Sequence, residues 1–172
     1  MESLTTQHLG RSYYAVRAIL FDKRRDANWA LGWHQDRTIA VANKLPVDGY
    51  KNWNLKDGVV HCEPPPEILE RMVTARIHLD GVDASNGPLE ILYGAPVDGI
   101  LSVSEIANLA DKRTVLTCNA APGDVWLYPT LVVHRSGTST SEGPRRVLQV
   151  DLSPDVELPG GVRWASERPV AA

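Results

Sequence analysis

Two stretches decide the fold, VTARIHL at 73–79 and RRVLQVDL at 145–152. Successive side chains of a β-strand leave opposite faces, so residues two apart share a face. In the first stretch Val73, Ala75, Ile77 and Leu79 fall on one side and Thr74, Arg76 and His78 on the other. In the second, Arg146, Leu148 and Val150 share one side, and Arg145, Val147, Gln149 and Asp151 the other. Apolar faces backed by polar ones predict a barrel with a polar interior, because a sandwich turns its apolar faces inward. A polar interior calls for water, a metal or a polar ligand. The apolar outer faces then need cover, and the sequence offers few helices to provide it.

Working outward, the other apolar runs are short: YYAVRAILF (13–21), RTIAV (37–41), LEILY (89–93), TVLTC (114–118), DVWLY (124–128) and TLVVH (130–134). Strands of this length between frequent Gly and Pro signals predict a sandwich or barrel. Ser102 followed by Glu105 reads as a capping box that opens a helix over 103–111, with Ile106 and Leu109 as its apolar stripe. PPPEILERM at 64–72 predicts a turn or two of helix, and Asn86-Gly87 a turn. The basic cluster at 23–25 reads as a solvated loop.

The chain has 172 residues, of which 43% are hydrophobic and 23% charged, which fits one globular domain spanning 1–172. Its 18 Lys and Arg against 21 Asp and Glu leave a formal charge of −3, which disfavours nucleic acid as a partner. Five Trp and five Tyr against one Phe favour a half-wet cavity over a greasy core. No apolar run approaches the ~20 residues of a membrane span. Cys62 and Cys118 form no metal-binding or disulfide spacing, and the first residues lack a signal-peptide pattern. A cytoplasmic protein with no membrane partner is expected.

The sharpest chemical feature is GWHQDRTIAV at 32–41. In an extended strand His34 and Asp36 share a face, about 6–7 Å apart, within reach of one ion. Imidazole and carboxylate together suit a divalent first-row metal. In TLVVHRSGTSTSEGPRRVLQV at 130–150, His134 would complete two histidines and one carboxylate, the triad that leaves positions open on a non-haem ferrous ion. Arg145, one strand away, could pair with a co-substrate carboxylate through two parallel hydrogen bonds. Taken singly, each of these residues has an ordinary structural reading; together they form an ordered set.

That ordered set resembles the phytanoyl-CoA dioxygenase-like family of iron(II)- and 2-oxoglutarate-dependent oxygenases. The matching stretches are RAILFDK (17–23), NWALGWHQD (28–36), KDGVVHCEPP (56–65), HLDGVDASNGPLEIL (78–92), APGDVWLYPTLVVHRSG (121–137) and GPRRVLQVDL (143–152). The resemblance implies a mainly β double-stranded β-helix (a cupin-like jelly-roll) with a few short helices. It implies Fe(II) on His34, Asp36 and His134, 2-oxoglutarate on Arg145, and O2 as the oxidant. Ser136 matches a position that often contacts the same co-substrate. Gln35, Arg76 and Arg17 are further expected cofactor contacts, Gln35 through its backbone. The implied activity is hydroxylation, or a related oxidation, of an unactivated C–H bond in a small molecule. Related halogenases replace the metal carboxylate with a small residue, so Asp36 implies hydroxylation.

Three departures from the family pattern stand out. Only some 33 residues precede His34, which suggests a missing edge strand or a second copy in a homo-oligomer. YGAP at 93–96 stands where relatives commonly read P-G-S-H, and no CoA-binding patch is evident. Residues 42–66 read as a long polar lid, with Tyr50, Trp53 and His61 as substrate contacts, and His78 on the polar face as another. Two alternatives stay open: a cupin-like metal enzyme that does not use 2-oxoglutarate, and a non-catalytic jelly-roll binding protein.

Overall fold

The computed structural model describes residues 10–166. One antiparallel sheet joins β1 (Tyr14–Lys23), β11 (Arg145–Ser153), β6 (Val73–His78) and β9 (Val125–Pro129), in that order. A second joins β2 (Leu31–His34), β10 (His134–Ser136), β7 (Leu89–Leu92) and β8 (Val115–Cys118). These eight strands form a double-stranded β-helix, the jelly-roll architecture. Each sheet is four strands wide among the described residues. No helix among the described residues is long and apolar enough to cross a membrane.

The register bears out the alternation. Gln149 pairs with Ile19 and Arg76, and Asp151 with Arg17 and Thr74. Thr74, Arg76, His78, Arg145, Gln149 and Asp151 are all buried, while Arg146 lies outside on Asp80. On the outer face Tyr13, Val73, Ala75, Val150 and Leu152 form one apolar cluster. Beside it Leu20, Leu148, Ile77 and Val125 follow one another across the four strands. Leu20 is 56% exposed and Val125 46%, so the outer face is only partly covered.

Two expectations change. Segment 42–66 is no loose lid: β4 (Lys51–Lys56) and β5 (Val59–Glu63) form a hairpin, to which β3 (Ile39–Val41) adds a third strand. Asp57-Gly58 makes its turn, with φ of +49° and +79°, the combination a two-residue type I′ loop needs. Tyr50 and Trp53 pack into the core beneath this sheet with Ile39, Cys62 and Leu69, and the Tyr50 hydroxyl donates to Pro159 O at 3.1 Å. Residues 130–133 are not a strand either. Pro129 supplies no further ladder donor, and the chain turns so that Leu131, Val132 and Val133 enter three separate apolar clusters.

Helices follow the sequence closely. α1 (Pro66–Glu70) starts on the Pro run, and α2 (Val103–Ala110) has the full capping box between Ser102 and Glu105. Ile106 and Leu109 of α2 pack on Leu92 and Val133.

Gly87 fixes the approach of the loop after β10. Its φ is +68°, and a Cβ there would lie 2.4 Å from Gly137 O. Gly58 has a similar φ of +79° but open space around it. Gly58→Ala should therefore cost only the left-handed backbone penalty, about 1–2 kcal/mol. Gly87→Ala should cost clearly more, because Gly137 must move. Thermal unfolding of the two variants measures the difference, each kcal/mol being worth roughly 2–4 °C at this chain length.

Candidate metal centre and anion cavity

His34 ends β2 and His134 begins β10, and the two are cross-strand partners with ring centroids 4.3 Å apart. After His34 the chain leaves the ladder, so Asp36 reaches the histidines from a loop and not from the same strand. Asp36 Oδ1 lies 3.9 Å from His34 Nε2, and Asp36 Oδ2 lies 4.0 Å from His134 Nε2. The three prospective ligand atoms fall within 4.8 Å of one another. Each imidazole is held from behind. Nδ1 of His34 faces Gly32 O at 2.7 Å, and Nδ1 of His134 faces Val132 O at 3.0 Å. A carbonyl only accepts, so both Nδ1 atoms donate and both Nε2 atoms are left to face Asp36.

Electrostatics suit a cation. Burial pushes His134 below the usual imidazole range, against the pull of Asp36, which keeps the ring neutral. Burial alone would raise Asp36, but His134, Arg17, the Gln149 amide and His34 together hold its carboxyl below the ordinary value. Two imidazoles and a carboxylate form the donor set of a non-haem iron triad.

The triad opens into a cavity lined also by Lys23, Arg76, Arg145, Ser136 and Gln149, with Phe21, Trp29, Leu31 and Leu89 as its apolar wall. Three cations meet there, and Asp36 is the one carboxylate among the lining residues. Lys23, read from sequence as part of a solvated loop, is 0% exposed. It closes β1 opposite Arg145, and its ammonium donates to Gly137 O at 2.5 Å and Ser136 Oγ at 3.1 Å. Burial, then Arg145 and Arg76, lower its pKa to about 8. Arg145 is brought to about 10 by burial and Arg76. Its Nη2 donates to Gly87 O at 2.9 Å. Arg76 stacks over Phe21 and Lys23 over Trp29, while Arg76 Nε is buried without an acceptor among the described residues. A cavity with such a surplus of positive charge, and an orphaned guanidinium N–H, fits an anionic ligand.

The other sequence candidates lie elsewhere. Gln35 turns away from the cavity and ties its loop to Leu131 O and Gly99 O, while accepting from Leu101 N. Arg17 is not in the lining; its Nε pairs with buried Asp151 at 2.5 Å. His78 is buried outside the lining, with Nδ1 on Asp124 O, and Tyr50 and Trp53 belong to the core. His61 is buried too, its Nδ1 3.0 Å from Val59 O. Lys23 was legible: the alternation from Arg17 through Ile19 and Phe21 carries it inward.

The triad makes a direct prediction. His34→Ala, Asp36→Ala and His134→Ala should each weaken Mn(II) or Fe(II) binding by more than about 100-fold, since losing even an outer partner of a ligand costs about 10–100-fold. Anaerobic equilibrium titration measures this, and a variant with wild-type affinity would remove its residue from the ligand set.

The sequence model of the phytanoyl-CoA dioxygenase (PhyH) family matches residues 6–147. No curated protein matches the chain in sequence. Among solved structures, AviO1 from Streptomyces viridochromogenes Tue57 is similar with a TM-score of 0.61 at 19% identity, over 93% of this chain and 57% of that one. EvdMO1 gives 0.60 at 22% identity, over 88% of this chain and 30% of that one. EctD from S. alaskensis, solved with 2-oxoglutarate and 5-hydroxyectoine, gives 0.56 at 18% identity, over 88% and 48%. The chain thus spans less than two thirds of the length of each, and at these identities the likeness is one of fold. The family match covers both sheets and runs into the strand that begins at Arg145, and on that extent the chain belongs to the phytanoyl-CoA dioxygenase (PhyH) family.

Proposed function

We propose that the chain is a non-haem iron(II)- and 2-oxoglutarate-dependent oxygenase that hydroxylates an unactivated C–H bond of a small molecule. The observation that carries this reading is the convergence of the His34–Asp36–His134 triad and three buried cations on one cavity. A cupin-like enzyme without 2-oxoglutarate, or a passive jelly-roll, has no need of those cations. His34, Asp36 and His134 would hold the iron. Arg145, Lys23, Arg76 and Ser136 would hold the dianion, which neutralises charge that the protein leaves unpaired. Together with O2 these groups supply the oxidation, in which 2-oxoglutarate leaves as succinate and carbon dioxide.

The chain's own task is placement. The Nδ1 hydrogen bonds hold both imidazoles with Nε2 toward Asp36. Phe21, Trp29, Leu31 and Leu89 give the cationic end an apolar wall. Asp36 keeps the metal carboxylate that halogenating relatives lack, which supports hydroxylation. No CoA-binding patch supports phytanoyl-CoA as the substrate.

Two predictions follow from the cations. Truncating one partner of a buried charged pair costs about 3–5 kcal/mol. Arg145→Ala should thus raise the 2-oxoglutarate requirement by at least about 10²-fold, the lower end of that cost. Arg146→Ala, on the outer face, should change it by less than about tenfold. Anaerobic titration of the iron–2-oxoglutarate charge-transfer band, then succinate release with O2, reads both. A wild-type protein that binds iron yet shows neither signal would overturn the proposal.

The second concerns pH. The bound dianion favours the ammonium form of Lys23, whose free-protein value is about 8. Affinity for 2-oxoglutarate should hold below pH 8 and fall as pH rises through it, because binding must then take up a proton. In Lys23→Met the affinity should be lower at pH 7 and the fall near pH 8 should vanish, as isothermal titration across pH 6.5–9 would show.

A further inference from the structure

Gln149 sits at the centre of β11 on the inward face and is 2% exposed. Its amide uses both ends. Nε2 donates to Asp36 Oδ2 at 3.1 Å and to Asp151 Oδ1 at 3.2 Å. Oε1 accepts from Arg76 Nη1 at 3.0 Å. A guanidinium only donates and a carboxylate oxygen accepts, so these partners determine which way round the amide sits. The far end of the arrangement is anchored, because Asp151 is held by Arg17 Nε at 2.5 Å and by the Thr74 hydroxyl at 3.4 Å. Asp36 itself stands on a loop, outside any strand, and needs an external anchor.

We propose that Gln149 is a positioning residue for the metal carboxylate: oriented by Arg76 and Asp151, its amide holds Asp36 toward the two histidines. The inference rests on the reading of His34, Asp36 and His134 as metal ligands. Glutamine suits this position. Glutamate would keep the acceptor for Arg76 but lose both donors and set a third carboxylate beside Asp36 and Asp151. Leucine would fill the space and leave Asp36, Asp151 and Arg76 each short of a partner.

Metal affinity and folding stability separate positioning from simple packing. Hydrogen bonds to metal ligands typically carry about 10–100-fold in affinity. Mn(II) titrated into the metal-free full chain and followed by electron paramagnetic resonance should bind Gln149→Ala about 10–100-fold more weakly than wild type. Gln149→Glu should lose at least as much, and it decides the matter should the alanine variant not fold. Val147→Ala, on the same face of β11 and outside the cavity lining, should lower the unfolding temperature and leave Mn(II) affinity within about threefold of wild type. If Gln149 variants unfold earlier but bind Mn(II) as wild type does, the glutamine is only packing and the inference falls. If the wild-type protein binds no Mn(II), the reading of the triad falls with it.

Discussion

Arg145, Val147, Gln149 and Asp151 leave β11 on the same side because strand side chains alternate, and the rest of the structure answers to that constraint. A barrel lined this way cannot collapse onto a greasy core. Each inward polar group needs a partner or a ligand. Asp151 is answered by Arg17 and Thr74, and Gln149 by Asp36, Asp151 and Arg76. β6 beside β11 carries a matching polar face, and the apolar packing is divided between the outer face, the space beneath the β3–β5–β4 sheet and a cluster of Leu89, Ile91, Cys118 and Tyr128 facing the triad from the second sheet and β9.

Charge is then distributed unevenly along the interior. At one end Arg17 and Asp151 neutralise each other. At the other, Lys23, Arg76 and Arg145 share a cavity whose sole acidic lining residue is Asp36. Backbone carbonyls and the faces of Phe21 and Trp29 offset part of that repulsion. Burial first, and then the neighbouring cations, lower the pKa values of Lys23 and Arg145. An anion that binds among these cations adds to the stability of the folded form.

Much of this was legible in the chain. The alternation in 73–79 and 145–151 gave the polar interior and placed Arg145 inside and Arg146 outside. The order of His34, Asp36, His134 and Arg145 gave the centre, and Ser102 with Glu105 gave α2. What escaped was set by tertiary packing or by an overlooked local signal. Leu131, Val132 and Val133 look like a strand but serve three clusters in different directions. Asp57-Gly58 is a hairpin signal hidden in a segment read as a lid, and Tyr50 and Trp53 went with that reading into the wrong environment. Lys23 looked solvated because its neighbours Arg24 and Arg25 are, although the strand face runs through it. The Gln149 contacts join two strands and a loop far apart in the chain, which no local pattern displays.

The backbone anchors behind the two histidines bear on metal selectivity. Gly32 O and Val132 O fix both rings and the Gln149 amide holds Asp36, so the protein itself orients all three donors. Fixed donors leave geometry and ligand type as the protein's means of favouring one first-row ion over another. Intrinsic preference then follows the Irving–Williams order, in which copper and zinc bind such donors more tightly than ferrous iron. Two imidazoles and one carboxylate do not by themselves favour ferrous iron over those ions, so occupancy of such a triad depends on the supply of competing metals as well as on the geometry that the anchored rings impose.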